Sequence, residues 1–292
     1  MKAQIILGDC IEKMQSLVKE GFKCEAIIID PPYLLLNHKM DKKFDEKVFL
    51  ELAAKITDKI VFFGRGDSFF RLNLLAGEAG FEFKEEIVWE KEKTTNSTNF
   101  LGRKHELISV RMKKGKSINK VYISYIKERL RKNNLAYMQD DIRTLLSMIE
   151  RKQSPSLFEE ISKMQRVIKR RSKYNINSNI SEELEKAEKI KKTIEKGFLL
   201  KSIVKINREF YSYKHPTQKP IELMRLLVKL VSNENDLILD TFCGSGTTGL
   251  AAMLENRSFL GFEIDEEYFK IAQNRLNEMV KSKSLFDELQ SS

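Results

Sequence analysis

The sequence predicts an α/β fold in which both ends of the chain build one mostly parallel sheet, with a basic helical segment inserted between them. Short apolar runs alternate with helical patterns at both ends, as in β-α-β units with right-handed crossovers. Strands such as AIIID and KIVFF are apolar almost throughout, which suits a sheet covered on both faces. Glycine nearly disappears from the middle of the chain, where charged helical patterns dominate.

The first predicted domain, residues 1–112, contains five strands and three helices. The strand patterns are QIILGDC, EAIIID, KIVFFG, FEFKEEIVWEK and HELISVRM. The helical patterns are IEKMQSLVKEG, KVFLELAAKIT and SFFRLNLLAGEAG, of which the first and last end in glycine. The alternation of strand and helix predicts parallel neighbours in the sheet.

The second predicted domain, residues 113–207, is a basic helical insertion. Its helical patterns are SYIKERLRKNN, DIRTLLSMIERK, SLFEEISKMQRVIKRR and SEELEKAEKIKKTIEKG. Residues 113–214 hold 26 Lys and Arg against 12 Asp and Glu, a net charge of +14 that exceeds the +10 of the whole chain. Such a field attracts a polyanion such as nucleic acid, although solvated lysine-rich helices show the same pattern.

The third predicted domain, residues 208–292, returns to the α/β pattern. PIELMRLLVKLVS is an amphipathic helix, with Pro220 suited to its first turn. The stretch NDLILDTFCGSGTTGLAAMLEN predicts a strand, a glycine loop and a helix, SFLGFEID a strand, and EEYFKIAQNRLNEMVKS a helix. One sheet built from the first and third domains is the simplest arrangement.

Composition excludes several classes of protein. No apolar run approaches the ~20 residues that span a bilayer, and the N-terminal stretch lacks the pattern of a signal peptide. The three cysteines have no CxxC spacing, which favours reduced thiols over a metal site, so we predict no metal. These observations predict a cytoplasmic protein.

The glycine loop LILDTFCGSGTT is a candidate ligand site. Gly244 and Gly246 lie between a strand and a helix, where the backbone can approach a ligand and the helix N-terminus offers N–H groups. The loop is neither a Walker A loop nor GxGxxG, and a tight turn would also use glycine.

Neighbouring residues strengthen the interpretation of this loop. Asp240 and Glu263 end predicted strands, where carboxylates meet ligands in doubly wound sheets and can bind ribose hydroxyls. Thr247 and Thr248 place hydroxyls in the first helical turn, where capping is the alternative role; for Asp265 we favour a helix cap. A cofactor with a ribose and a carboxylate but no phosphate fits this set, as S-adenosylmethionine does.

The tetrapeptide Asp30-Pro31-Pro32-Tyr33 begins where the predicted strand EAIIID ends, so that this strand also ends in a carboxylate, that of Asp30. Proline removes backbone donors, so that the Asp30 carboxylate and the Pro31 carbonyl can both accept hydrogen bonds from an exocyclic amino group. Tyr33 offers a flat face for a purine. A base must leave its duplex to enter such a pocket. The alternative is a proline-rich turn after a strand.

These motifs and their order resemble those of the amino-group DNA methyltransferases of the permuted β class. DPPY at 30–33 precedes the basic segment, and HPTQKP at 215–220 and FCGSG at 242–246 follow it. The resemblance covers residues 1–112 and 208–280. It implies a Rossmann-like methyltransferase fold that depends on S-adenosylmethionine, with a seven-stranded sheet, and a target-recognition role for the inserted helical domain.

The resemblance also implies roles for individual residues. Asp30, Pro31, Pro32 and Tyr33 match the catalytic tetrapeptide, in which the carboxylate orients the target amine. The residues implied in cofactor binding are Asp9, Cys10, Asp30, Thr217, Lys219, Asp240, Phe242, Gly244, Gly246, Thr247, Thr248 and Glu263. Among these, Asp9 matches the residue that accepts a hydrogen bond from the adenine amino group of the cofactor, and Glu263 matches the acid that binds its ribose. Three further residues match those around the methionine carboxylate of the cofactor: Thr217, Lys219 and Thr247.

The implied reaction is site-specific methylation of adenine N6 in double-stranded DNA by base flipping, within a restriction-modification system. A cognate restriction endonuclease and a homodimer are the implied partners. The lysines and arginines of residues 113–214 are the implied DNA contacts, with Arg65 and Arg103 as lesser candidates. His105 is a further candidate, for which we favour the alternative of an ordinary histidine at a strand edge. Leu34-Leu35-Leu36 departs from the aromatic residue usual after the tetrapeptide. Three alternatives remain open: cytosine N4 methylation, methylation of RNA or of a protein glutamine, and a DNA-binding protein without enzymatic activity.

Overall fold

The computed structural model describes residues 2–32, 43–95, 103–124, 139–145, 189–207 and 218–291. The chain divides into two compact units. The first consists of Met1–Asn119 with Lys201–Ser292, and the second of Lys120–Leu200. Most of the helices predicted between residues 113 and 207 lie outside the described residues.

The first unit contains the α/β elements. Its strands are β1 (Ala3–Leu7), β2 (Ala26–Ile29), β3 (Lys59–Gly64), β4 (Glu82–Thr95), β5 (Arg103–Met112), β8 (Ile203–Lys205), β9 (Leu237–Asp240) and β10 (Ser258–Glu263). Its helices are α1 (Cys10–Lys19), α2 (Glu46–Ile56), α3 (Asp67–Glu78), α4 (Ile221–Val231), α5 (Thr247–Leu254) and α6 (Glu266–Ser291).

These eight strands form one sheet in the order β1-β10-β9-β2-β3-β5-β4-β8. The neighbours from β1 to β3 are all parallel. Only β5 runs in the opposite direction, since it is antiparallel to both β3 and β4, while β8 is parallel to β4. The predicted Rossmann-like fold with a mostly parallel sheet is confirmed, and both ends of the chain contribute to it.

The strand count differs from the seven expected, because β8 adds an eighth strand at the edge beside β4. It pairs Val204 with Trp89, and the Trp89 indole Nε1 donates a hydrogen bond of 2.8 Å to the Ile206 carbonyl oxygen. Only three residues long, β8 lies in a basic stretch of sequence. Its stability therefore depends on the partner strand and not on a local pattern.

The core lies on both faces of the sheet. Every residue of β2 and β3 is buried. Helix α2 buries Phe49, Leu50 and Ala53 against one face, and α4 buries an apolar stripe of its own. Full burial of one such large apolar side chain contributes about 1.5–3 kcal/mol to folding. This packing fixes the strand ends that carry the candidate site.

The second unit contains a short antiparallel pair, β6 (Tyr122–Ile123) and β7 (Phe198–Leu199). Helical segments cover residues 139–145 and 189–196. Gly197 joins the latter segment to β7 with a φ of +85°, and a Cβ there would come within 2.2 Å of the Ile123 carbonyl oxygen. Across the described ranges of both units, no helix is long and apolar enough to cross a membrane.

Candidate active site

Four adjacent parallel strands place a carboxylate at the same edge of the sheet. In sheet order, β1 leads into Asp9, β10 ends at Glu263, β9 ends at Asp240, and β2 leads into Asp30. Neighbouring strands lie about 4.8 Å apart, so these side chains belong to one site. The edge combines segments more than 200 residues apart in sequence, as expected for a doubly wound sheet.

The glycine loop turns tightly between β9 and α5. Gly244 and Gly246 have φ angles of +51° and +79°, which side chains other than glycine rarely adopt. The Gly246 N–H donates a hydrogen bond of 2.8 Å to the Cys243 carbonyl oxygen. A Cβ at Gly246 would lie 3.0 Å from the Cβ of Ala272. Both glycines are therefore required by backbone geometry, which confirms a tight turn, and the role of the loop in ligand binding stays a prediction.

Glu263 holds this loop in place. Its Oε2 accepts a hydrogen bond of 2.8 Å from the Gly244 N–H, and its Oε1 accepts one of 2.9 Å from the Asp265 N–H. Burial raises the pKa of the Glu263 carboxyl. Asp265 itself caps α6, since its Oδ1 accepts from the N–H groups of Glu267 and Tyr268, which confirms the capping role expected for it.

Asp240 occupies a dry position beneath the loop. Its carboxylate accepts hydrogen bonds from the Thr248 hydroxyl and, at 3.0 Å, from the Phe242 N–H. Burial raises the pKa of Asp240 to about 7, and the hydrogen bonds from Thr248 and Phe242 only partly oppose this. Thr248 thus acts on Asp240, while the N-cap of α5 is Gly246, so the capping role does not fall to either threonine.

The start of α5 is clamped by residues that the sequence did not indicate. Arg275 of α6 donates from Nη1 to the Ser245 carbonyl oxygen at 2.5 Å and to the Thr247 Oγ1 at 3.4 Å. The Ser245 hydroxyl also donates to Gln218 Oε1 at 3.3 Å. Gln218 belongs to the HPTQKP motif. The motif and the glycine loop, predicted as separate features, are therefore joined directly.

Asp9 and Cys10 lie at the start of α1. Asp9 is its N-cap, because its Oδ1 accepts hydrogen bonds of 2.9 and 3.2 Å from the N–H groups of Ile11 and Glu12. Cys10 is buried, and burial, with the nearby charge of Asp9, raises the pKa of its thiol to about 12. Cys10 is therefore a neutral packing residue, and a direct role for either in cofactor binding stays a prediction.

Phe242 packs against the aromatic side chains near α2. Its ring centroid lies 4.9 Å from that of Phe44 and 5.7 Å from that of Phe49. Contacts of this kind stabilise a cluster by about 0.5–1.5 kcal/mol per pair. Phe242 therefore anchors the glycine loop to the core, beside its predicted role toward the cofactor.

Asp30 is the first member of a row of alternating charges, here named the charge row: Asp30, Lys219, Glu106 and Lys91. Lys219 Nζ pairs with Asp30 Oδ2 and lies 3.3 Å from Glu106 Oε2, and Lys91 Nζ pairs with Glu106 Oε1. The Lys219 ammonium also lies 4.7 Å from the centre of the Phe63 ring. Glu106 and Lys91 were not predicted as site residues, and Lys219 was placed by resemblance near the methionine carboxylate.

The other residues named from the sequence lie partly within and partly outside the described residues. Pro31 is buried and Pro32 half-buried, directly after Asp30. Tyr33, Thr217 and Leu34-Leu35-Leu36 lie outside the described residues, so their roles stay predictions. Cys243 is buried, and burial raises its thiol pKa. The DNA contacts predicted for Arg65, Arg103 and His105 also stay predictions, although His105 is exposed at the edge of β5.

Comparison with known proteins gives a family match. A family model for N6 and N4 enzymes, described as DNA methylase, matches residues 24–274. The solved structure of an M1.HpyAVI–SAM complex superposes with a TM-score of 0.58 at 24% identity, over 94% of this chain and 99% of that one. At this identity the superposition bears on the fold.

Three curated relatives match parts or most of the chain. Type II methyltransferase M2.LlaDCHI of Lactococcus lactis subsp. cremoris is 48% identical over 24% of this chain and 26% of its own. DNA adenine methyltransferase YhdJ of Escherichia coli (strain K12) is 46% identical over 22% of this chain and 21% of its own. Type II methyltransferase M.HinfI of Haemophilus influenzae is 25% identical over 94% of this chain and 68% of its own. The first two alignments thus span about a quarter of the relatives' length.

Proposed function

Because this chain belongs to the N6/N4 DNA methylase family, we propose that it transfers a methyl group from S-adenosylmethionine to adenine N6 in double-stranded DNA. The observation that carries the proposal is the arrangement at the sheet edge. Asp30 of the DPPY segment directly follows β2, and β2 is the neighbour of β9, the strand that leads into the glycine loop. The two ligands of the reaction would meet there. Sequence-specific action within a restriction-modification system is part of the proposal.

The residues present fit the cofactor. Glu263 is oriented by two backbone N–H groups and offers an acidic acceptor at the position where such sheets bind ribose hydroxyls. The start of α5 offers the partial positive charge that suits a carboxylate. Asp9 at the next strand end offers an acceptor for an amino group. When bound, S-adenosylmethionine supplies a methyl group on a positively charged sulfur.

Asp30 would orient the nucleophile. An exocyclic amino group donates to the Asp30 carboxylate and to the Pro31 carbonyl, which turns the nitrogen lone pair away from the ring and toward the methyl group. Holding both reactants in this geometry supplies much of the rate. Lys219 pairs with the Asp30 carboxylate and so fixes its orientation. The proposal also gives Asp30 a part in the disposal of the amine proton after transfer.

Adenine is favoured over cytosine for two reasons. Asp in the first position of the tetrapeptide is typical of the adenine enzymes that the sequence resembles, and one of the relatives is named a DNA adenine methyltransferase. The family includes both N6 and N4 enzymes. Cytosine N4 methylation is therefore the second candidate.

The proposal includes partners and location. The basic charge between residues 113 and 214 suits DNA phosphates, and target recognition is proposed for this part of the chain. We further propose a cognate restriction endonuclease and a homodimer, which rest on the family resemblance alone, and a cytoplasmic location, which rests on the sequence composition.

Transfer of a labelled methyl group tests the proposal. Purified full-length protein is incubated with methyl-labelled S-adenosylmethionine and unmethylated genomic DNA, beside the Asp30→Ala variant. We expect label in DNA with the wild type and at least 100-fold less with the variant, since a misplaced nucleophile costs about that factor. Equilibrium dialysis checks that the variant still binds the cofactor. Absence of label with the wild type would overturn the proposal.

A further inference from the structure

The charge row continues from the proposed catalytic carboxylate into the sheet. The exposed fractions of the side chains are 23% for Asp30, 8% for Lys219, 11% for Glu106 and 5% for Lys91. Asp30 is therefore the most exposed member of the row, and the other three side chains are nearly buried. Such pairs attract each other more strongly than pairs in water.

Stability alone does not account for a row of this kind. Buried ion pairs often contribute no more to stability than apolar side chains of the same volume, because desolvation offsets the attraction. The sheet holds both ends of the row. Asp30 directly follows β2, and Glu106 lies within β5 opposite Trp89 of β4. Lys91 lies on β4 just after the pair of Glu90 and His105, where the register shifts, whereas Lys219 lies in the segment before α4.

The contacts of the row connect Lys91 to Asp30. The strand pair fixes Glu106 and Lys91, their carboxylate and ammonium groups fix Lys219, and Lys219 is bonded to Asp30. The Phe63 ring, whose centre lies 4.7 Å from Lys219 Nζ, packs against this ammonium group. Asp240 on the neighbouring strand β9 is an acidic group near Asp30 outside the row, since the charge of Asp30 contributes to its raised pKa.

We propose that Glu106 and Lys91 are positioning residues for methyl transfer, which act through Lys219 to hold the Asp30 carboxylate in place. The proposal rests on the proposed function of Asp30. It gives Lys219 a task at the target amine, whereas the family resemblance places this lysine near the methionine carboxylate of the cofactor.

Two substitutions unbalance the row in opposite ways. Glu106→Gln removes the negative charge between two ammonium groups, so that Lys91 repels Lys219 and shifts it against Asp30. Lys91→Met removes one of the ammonium groups that attract Glu106, so that Glu106 draws Lys219 away from Asp30. Either shift misplaces the carboxylate that receives the target amine, and neither changed side chain belongs to the proposed cofactor site.

The test measures transfer and cofactor binding separately in the full-length protein. Single-turnover transfer to genomic DNA and the dissociation constant for S-adenosylmethionine are measured for Glu106→Gln, Lys91→Met and the double variant. Lys91→Arg, which keeps the charge, and Glu85→Gln, an exposed carboxylate on the same strand β4, are the controls. Thermal unfolding of each variant gives its folded fraction.

We expect each single variant to lose about 10- to 100-fold in transfer rate, with the dissociation constant within twofold of the wild type. The double variant, in which a neutral pair is removed, is expected to transfer faster than either single variant. Lys91→Arg and Glu85→Gln are expected to match the wild type. If Glu106→Gln does not fold, the comparison of Lys91→Met with Lys91→Arg decides.

Three results would overturn the inference: transfer rates within twofold of the wild type, cofactor affinity that falls as far as the rate does, or a double variant whose loss equals the product of the single losses. The second result would place Lys219 on the cofactor. A wild-type protein that transfers no methyl group at all would instead refute the proposed function, so the two failures are distinguishable.

Discussion

The carboxylates at the sheet edge lie in different surroundings, and these surroundings suit different tasks. Asp240 is dry and bonded to a hydroxyl, Glu263 receives two backbone N–H groups, and Asp30 is paired with a lysine. A dry carboxyl favours its neutral form, while paired or hydrogen-bonded carboxylates favour the charged form. Asp240 therefore supports the loop, and Asp30 and Glu263 are the carboxylates proposed to meet ligands.

The raised pKa of Asp240 predicts how the stability of the protein depends on pH. Burial raises this pKa from 3.8 to about 7, so the folded protein holds the proton more tightly than the unfolded chain. The stabilisation is complete below pH 4 and is lost as pH rises toward 7. The free energy of unfolding of Asp240→Asn, relative to the wild type, should rise across this window by a few kcal/mol, on the order set by the shift.

Urea unfolding at pH 4, 5, 6, 7 and 8 measures this difference. Above pH 7 the difference between the two proteins should stay constant. Glu82→Gln is the control, because Glu82 is an exposed carboxylate paired with Lys84 and not buried. A constant difference between Asp240→Asn and the wild type over the whole range would show that Asp240 is ionised in the folded protein.

Glu263 carries a prediction about cofactor affinity. A glutamine there has one acceptor oxygen in place of two, so Glu263→Gln loses either the Gly244 or the Asp265 N–H bond and its charge. We expect the dissociation constant for S-adenosylmethionine to rise about 10- to 100-fold, as for loss of a hydrogen bond to a charged group. Asp265→Asn is the matched control, since asparagine also caps helices. Equal affinities for both variants would contradict the proposed role of Glu263.

At the scale of elements, the glycine loop combines backbone strain with close packing. Gly246 and Gly115 have nearly the same φ, +79° and +82°, but a Cβ at Gly246 would meet Ala272 whereas a Cβ at Gly115 would meet nothing within 4 Å. Alanine at these two positions therefore separates the free-energy cost of the backbone conformation from the cost of the contact with Ala272. The conformational cost of alanine is about 1–2 kcal/mol at either position.

We expect Gly115→Ala to show this conformational loss alone and to bind S-adenosylmethionine as the wild type does. Gly246→Ala should lose more stability and about tenfold or more in cofactor affinity, because the start of α5 must move away from Ala272. Guanidinium unfolding and equilibrium dialysis measure the two quantities. Unchanged affinity in Gly246→Ala would show that the loop does not hold the cofactor.

Elements with a repeating pattern could be predicted from the sequence, and short ones could not. The apolar runs of β2 and β3 and the amphipathic face of α4 carry their own signal. The strands β6, β7 and β8 have two or three residues each, too few for any period, and exist because a partner strand is present. The DPPY and FCGSG motifs could be placed at one sheet edge because they follow β2 and β9, two strands whose apolar patterns could be recognised in the sequence.

Side-chain partners distant in sequence were the part that sequence reasoning missed. Lys219 is 113 positions from Glu106, and Arg275 is 30 positions from Ser245. No local pattern marks such pairs, because their proximity follows from strand order. Glu106 at the start of the predicted strand HELISV was the one available signal, since a charge in a strand that becomes buried requires a partner.

At the scale of the whole molecule, positive charge is concentrated in one part of the sequence, and this predicts salt-dependent DNA binding. Four exposed lysines lie on the helical segment 189–196 of the second unit: Lys189, Lys191, Lys192 and Lys196. Changing all four to glutamine should weaken DNA binding and reduce the slope of log K against log salt by roughly 0.9 for each lysine that contacts a phosphate. Affinity for S-adenosylmethionine should not change.

The matched control changes four exposed lysines of the first unit: Lys19, Lys47, Lys55 and Lys281. Fluorescence anisotropy with labelled duplex DNA at several salt concentrations measures both sets. Equal losses in the two sets would mean that net charge, and not this segment, attracts DNA.

The central claim is that this chain methylates adenine N6 in DNA through Asp30, and nucleoside analysis of cellular DNA tests it most directly. DNA from a methylase-free host expressing the wild type or Asp30→Ala is digested to nucleosides and analysed by mass spectrometry. The account predicts N6-methyldeoxyadenosine with the wild type and none above background with the variant. N4-methyldeoxycytidine in its place, no methylated nucleoside at all, or equal amounts from both proteins would contradict it.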